Sequence, residues 1–164
     1  MTKHTAELQL RPAQLSEAAH LSALALRSKA YWGYSPAQID CWREELAISA
    51  THFELSQITL AEQAGQILGF YVLNLHEPAR LEHLWVDPQA IGQGVGKRLF
   101  YHACECLRLS PMSFMHIEAD PNALGFYQSQ GAQHVGNEPA PIAGEPARTL
   151  PQLICHAHWF FLST

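Results

Sequence analysis

The stretch Leu84-Trp85-Val86-Asp87-Pro88-Gln89-Ala90-Ile91-Gly92-Gln93-Gly94-Val95-Gly96-Lys97-Arg98-Leu99-Phe100 constrains this chain more than any other. An apolar strand runs into a turn with glycine at every second position, and a helix opens directly behind it. Without side chains at 92, 94 and 96 the backbone can close on a ligand. The helix beginning near Gly94 adds first-turn N–H groups that have no intrahelical partner. Such donors bind anions, so the turn predicts a phosphate or pyrophosphate site.

Two familiar phosphate turns do not fit. A Walker loop needs glycine where this chain has Ile91, and a Ser or Thr where Arg98 follows Lys97. The dinucleotide fingerprint fails because its third glycine falls on Val95, Lys97 or Leu99 rather than on a small residue in register. What remains is Val86-Asp87-Pro88, five residues, then Gly94-x-Gly96. Farther on, Asp120-Pro121-Asn122-Ala123-Leu124-Gly125-Phe126-Tyr127 precedes Gly131-Ala132. The two stretches, in this order and at this separation, resemble the two motifs of the GCN5-related N-acetyltransferases, and the likeness extends over about residues 5 to 162.

That resemblance implies an α/β fold, with a mixed, mostly antiparallel central sheet of six or seven strands splayed in the middle and helices on both faces. It also implies acetyl-CoA as co-substrate, without a metal. Leu84, Trp85 and Val86 would pair with the pantetheine arm, and Ile91, Gly92, Gln93, Gly94, Val95, Gly96 and Lys97 would hold the pyrophosphate. Ile91 departs from the Arg or Gln usual in the family, so one side-chain contact is lost while the backbone cradle stays; Ala132 stands where a Phe is usual. Tyr127 matches the family tyrosine at the CoA sulfur and is the candidate general acid. Asn122 is carried over as a CoA contact, although it lies five residues before Tyr127 rather than seven; Asp120 occupies the other place, and either side chain also suits a helix cap.

Amine acetylation needs a neutral nucleophile, so an ammonium must lose a proton to a carboxylate or histidine, usually through water. Glu82 is the candidate base, with His83 and Glu118 as alternatives. Strand alternation predicts Glu82, Leu84 and Val86 on one face and His83 and Trp85 on the other. The backbone N–H of Val86 is the candidate donor to the thioester oxygen. Cys41, Cys104 and Cys106 fall on predicted helices away from the strands, which favours direct transfer in a ternary complex over an acyl-cysteine route.

At 164 residues the chain predicts a single acyltransferase domain spanning 1–164, without a dividing linker. Its 48% hydrophobic and 15% charged residues fit a soluble protein, and no apolar run approaches the roughly 20 residues of a membrane span. Met1 to Leu10 lacks a signal-peptide pattern, so the expected location is cytoplasmic. A net charge of −5 with ten Lys and Arg argues against a nucleic-acid surface and suits a cationic acceptor, a small-molecule or peptide amine. Self-association into a homodimer stays open. The four cysteines lack paired spacing, and His156 and His158 find no third partner in the sequence, so neither a disulfide framework nor a metal site is expected.

In chain order, Glu7 to Arg11 predicts a first strand, with Pro12 at N1 of a helix running to about Ala30. The aromatic joint Tyr31-Trp32-Gly33-Tyr34 follows, then Ser35 as N-cap of a helix carrying Ile39, Trp42 and Leu46. Those aromatics either plug the angle between the helices or, as the resemblance implies, wall the acceptor site with Tyr31, Trp32 and Tyr34. A hairpin follows from Ile58 to Leu75, turning at Ala64-Gly65, and Leu81 to Val86 delivers the glycine turn. After the helix to Leu109 come a strand over Ser113 to Glu118, the short helix of Phe126 and Tyr127, and a short strand over Gln133 to Val135. A Pro- and Gly-rich loop over Asn137 to Thr149 carries Arg148 as a further acceptor-wall candidate, before a last strand over Leu153 to Phe161. A non-catalytic acyl-CoA sensor or partner-binding domain, or an acyltransferase with another acyl-CoA or an O-acceptor, is the rival to N-acetyl transfer.

Overall fold

The computed structural model describes residues 6–158. Seven strands form one sheet in the order β1-β2-β3-β4-β5-β7-β6. They are β1 (Gln9–Pro12), β2 (Gln57–Gln63), β3 (Gln66–Asn74), β4 (Arg80–Val86), β5 (Phe114–Glu118), β6 (Gln133–Pro139) and β7 (Thr149–His156). Every neighbouring pair is antiparallel except β4 and β5, which run parallel. The expected mixed, mostly antiparallel α/β architecture is therefore the observed one. No described helix is long and apolar enough to cross a membrane.

Helices cover both faces because the strands alternate between two apolar sets. On one face α1 (Ala18–Ala30) and α3 (Ala50–Leu55), with the chain between them, bury Leu21, Leu24, Leu46 and Ile48 against Ile58, Leu60, Phe70 and Val72. The short α2 (Pro36–Cys41) is held by a reciprocal cap between Ser35 and Gln38. On the other face α4 (Val95–Arg108) and α5 (Leu124–Ser129) cover Tyr71, Leu73, Leu81, Met115, Ile117 and Leu153. Helix α4 turns Val95, Leu99, Phe100, Ala103 and Leu107 inward, a stripe at helical spacing. It packs tightly over Gly69, where a Cβ would stand 3.0 Å from Leu99 Cδ1 of the helix and 2.8 Å from the Trp85 carbonyl oxygen of β4.

Several boundaries differ from the sequence expectation. Pro12 ends β1 instead of opening a helix, and a 3-10 turn over Leu15–Glu17 leads into α1. Helix α2 stops at Cys41, so Trp42 sits at its C-cap and not on a continuing helical face. The loop expected over 137–149 is a hairpin end: β6 continues to Pro139, which pairs with Thr149, and the tip is closed by an Ala140 N–H bond to Arg148 O at 3.0 Å. The last strand begins at Thr149 and ends at His156; the part of the expectation beyond residue 158 lies outside the described residues.

Candidate active site

The sheet opens between β4 and β5, which pair only at Arg80↔His116 and Leu81↔Ile117. Beyond Leu81, β4 keeps its partner β3 on one edge and loses contact with β5 on the other. The Asp87 N–H donates to Leu68 O at 2.8 Å and so points toward β3. Because successive N–H groups of a strand point to opposite edges, those of Val86 and Leu84 point into the gap. The gap widens into a cleft of about 440 Å³ whose lining includes Leu84, Trp85, Val86, Ile91, Gly92, Gly94, Val95, Gly96 and Lys97. Gln93 is not part of that lining; its side chain bonds back to the Gln89 carbonyl at 3.0 Å.

Asp87 and Pro88 set the entry to the turn. The Asp87 carboxylate accepts the Gln89 N–H at 3.2 Å, capping the 3-10 turn Pro88–Ala90, and pairs with Arg27 Nη2 of α1 at 2.7 Å. Gly92 and Gly94 adopt φ +82 and +83, the left-handed region, and nothing lies within 4 Å of where their Cβ atoms would stand. Gly94 caps α4 without a side chain, and the Arg98 N–H is the first to find a helical acceptor, at Gly94 O. The N–H groups of Val95, Gly96 and Lys97 are thereby left for a ligand. An open backbone cradle at the start of a 14-residue helix fits a pyrophosphate.

Tyr127 lines the same cleft at 6% exposure, edge-on to Phe100 and Phe126. Its hydroxyl makes no hydrogen bond among the described residues. Burial pushes the phenol well above its usual range, so it stays protonated and keeps a proton to donate. Asn122 is exposed at the cleft wall, with its Nδ2 held by Asp120 Oδ1 at 2.8 Å.

The three base candidates come together at the other side of the cleft, but not in the expected alternation. Val72 pairs with His83 and Leu73 with Leu81, so Glu82 is the extra residue of a β-bulge. Leu81, Leu84 and Val86 all pack on the α4 side, which strict alternation cannot do for both leucines. Glu82 is turned away from them, accepting from Ser56 Oγ at 3.1 Å and Asn74 Nδ2 at 3.2 Å. Glu118, also exposed, accepts from Gln152 Nε2 at 3.1 Å. His83 is depressed to about 4, by burial first and by His52 second, so it is neutral near pH 7 and a poor base.

The aromatic joint divides. Trp32 lines the cleft at 42% exposure with Tyr31 edge-on at 5.2 Å, whereas Tyr34 and Arg148 are not among the lining residues. These two belong to a buried polar cluster centred on Asp120. Its Oδ2 takes Lys29 Nζ at 2.6 Å and the Tyr34 hydroxyl at 2.8 Å, with Arg148 Nη2 at 3.7 Å. Its Oδ1 takes the Asn122 N–H at 2.9 Å. Trp42 lies under both cations, 4.4 Å from Lys29 Nζ and 5.4 Å from Arg148 Cζ. Burial alone would raise the Asp120 pKa; the Lys29 hydrogen bond and charge, the Asn122 N–H and the Tyr34 hydroxyl outweigh it and hold the carboxyl below its usual range. Lys29 was legible as an anomaly, a lysine on the Leu21, Ala25, Ser28 face of α1, but nothing in the sequence names its partner.

Comparison with known proteins follows this geometry. A family model of the acetyltransferase (GNAT) domain matches residues 17–140. Peptidyl-lysine N-acetyltransferase YiaC of Escherichia coli (strain K12) is 28% identical over 123 residues, covering 74% of this chain and 81% of that protein. Among solved structures, a GCN5-related N-acetyltransferase of Rhodopseudomonas palustris superposes with a TM-score of 0.76 at 21% identity, over 95% of this chain and 99% of the other. The PaiA N-acetyltransferase of Thermoplasma acidophilum, solved in complex with coenzyme A, gives 0.72 at 16% identity, over 92% and 99%.

Proposed function

The chain belongs to the GNAT acetyltransferase family, and from that premise we propose that it moves an acetyl group from acetyl-CoA directly to the primary amine of a cationic acceptor, with a peptide lysine as the first candidate. Membership in a family of N-acetyltransferases makes it an enzyme of that kind. The observation that carries the acceptor-side reading is the continuity of one cleft from the Gly92–Lys97 cradle, past the open edge of β4, to Trp32 and the carboxylates of Glu82 and Glu118. A peptide-lysine acceptor is supported by the E. coli and Salmonella typhimurium relatives, both named for peptidyl-lysine N-acetylation, and by an acceptor end with two carboxylates and an aromatic wall.

Each cleft residue then has a task. The first-turn N–H groups of α4 and the Lys97 ammonium hold the pyrophosphate. The bound co-substrate supplies an activated acetyl thioester. Val86 and Leu84 present N–H groups on the open strand edge, where negative charge develops on the thioester oxygen. Tyr127 keeps its proton beside the leaving sulfur; a phenol above its ordinary range is a weaker acid than a thiol, so it acts first as a hydrogen-bond donor to the developing thiolate. Glu82 and Glu118 draw in the ammonium and take its proton through water. No cysteine lines the cleft among the described residues, which favours direct transfer over an acyl-enzyme.

The test pairs an acceptor panel with a binding measurement. Wild-type protein with acetyl-CoA should release free thiol when given lysine peptides. Gly94→Val should weaken CoA binding by calorimetry at least about tenfold while the protein stays folded, since the added side chain occupies the cradle. Unchanged CoA affinity in the folded variant would reject the cradle.

A further inference from the structure

We infer that His83 is an acceptor-recognition residue, donating its Nε2–H to a carbonyl oxygen of the acceptor, and that Trp85 is the positioning residue that fixes this proton on Nε2. The inference rests on the acetyl-transfer reading of the cleft and adds to it a requirement on the acceptor's own structure.

Trp85 Nε1 lies 3.0 Å from His83 Nδ1. An indole N–H only donates, so Nδ1 must be the accepting nitrogen, and a neutral imidazole then carries its one proton on Nε2. Burial first, and His52 second, push the ring's pKa down to about 4, which keeps it neutral near pH 7. Nearby His52 does not compete for Nε2: its ring stands edge-on at 5.5 Å, and its Nδ1 accepts the Ser49 N–H at 3.0 Å. Among the described residues Nε2 has no partner, and it is not a sealed, unsatisfied atom. The space that His83 lines is the cleft, beside Trp32, Glu82 and Glu118.

The chemistry of the surroundings narrows what this donor can meet. An N–H repels a cation, and the flanking carboxylates of Glu82 and Glu118 disfavour an anion, so the fitting group is a neutral oxygen. A peptide carbonyl on the chain that carries the reacting lysine is such a group. A simple aliphatic diamine has none.

The test compares a blocked lysine tripeptide with cadaverine as acceptors, using His83→Phe, His83→Gln and Trp85→Phe. His83→Phe should raise the peptide KM about tenfold, the scale of one lost hydrogen bond, with cadaverine kinetics and CoA affinity unchanged. His83→Gln, which keeps an N–H donor, should recover most of that loss. Equal loss for both acceptors, or loss for neither, overturns the inference. A second arm needs no turnover. In 15N-histidine NMR of the CoA-bound protein, His83 should appear with Nδ1 unprotonated, Trp85→Phe should mix the tautomers, and the peptide should shift the Nε2–H signal while cadaverine does not. A protonated Nδ1 or an unmoved signal overturns it. Wild-type protein that consumes no acetyl-CoA with either amine would sink the acetyl-transfer reading instead, and the NMR arm would still judge His83.

Discussion

Lys29 Nζ lies 2.6 Å from Asp120 Oδ2, and their side chains are only 9% and 5% exposed. One carboxylate thereby joins the helix that leads to Trp32, the β6–β7 hairpin through Arg148, and the first turn ahead of Tyr127. Two cations share it, and among the described residues Arg148 Nε has no partner of its own. The cluster holds the Trp32 side of the cleft and the α5 segment in one register.

Asp120→Ala should therefore cost about 3–5 kcal/mol of stability, because it strands two buried cations as well as removing a cap. Asp120→Asn, which keeps the cap acceptor but not the charge, should cost less. Urea titration of both variants checks the order.

Tyr127→Phe should leave stability nearly unchanged, since the hydroxyl has no partner among the described residues and the ring contacts with Phe100 and Phe126 survive. Turnover should drop by roughly 10²-fold with little change in CoA affinity, as expected for a group that acts on the leaving thiolate. Wild-type turnover in the folded variant would remove Tyr127 from the chemistry.

Gly69→Ala should destabilise the protein by about 1–3 kcal/mol, the usual cost of overpacking, because the new methyl meets Trp85 O at 2.8 Å and Val95 Cγ1 at 3.2 Å. Both β4 at Trp85 and the start of α4 at Val95 must then shift, so CoA affinity should fall as well. A stable variant with normal affinity would show that the contact has slack.

Acid should weaken the fold in two separate windows. His83 titrates near 4 in the folded protein against about 6.5 when unfolded, so its contribution is complete above pH 6.5 and is lost as the pH falls toward 4. Asp120, held low by its partners, contributes fully above its unfolded value of about 3.9 and loses that contribution only below it. Denaturation midpoints measured from pH 7.5 to 4 should decline in wild type, and His83→Gln should flatten that decline.

The glycine turn and the helix behind it were legible in the sequence because both depend on local rules: glycines at fixed offsets and an apolar stripe at helical spacing. The mixed, mostly antiparallel architecture came with the family resemblance; the strand order is not a matter of local pattern and appears only in the structure. Glu82 illustrates the limit. Alternation placed it with Leu84 and Val86, and a single bulged residue, which leaves no mark in the sequence, moved it to the other side. Arg148 is a second case. The sequence offers it as an acceptor-wall candidate on a Pro- and Gly-rich loop, yet its side chain is 5% exposed and outside the cleft lining, because Asp120, Tyr34 and Trp42 arrive from elsewhere in the chain to receive it.

The open edge of β4 runs on into the glycine turn, so the interval between the N–H groups of that edge and those at the start of α4 is a covalent length and not a packing distance. The strand acts as a ruler. Adding or deleting one residue between Leu84 and Val86 would exchange the edges to which the strand's N–H groups point, whereas Trp32, Tyr31 and the hairpin tip stand outside that interval. The Trp32 side of the cleft can thus be rebuilt residue by residue with the ruler left untouched.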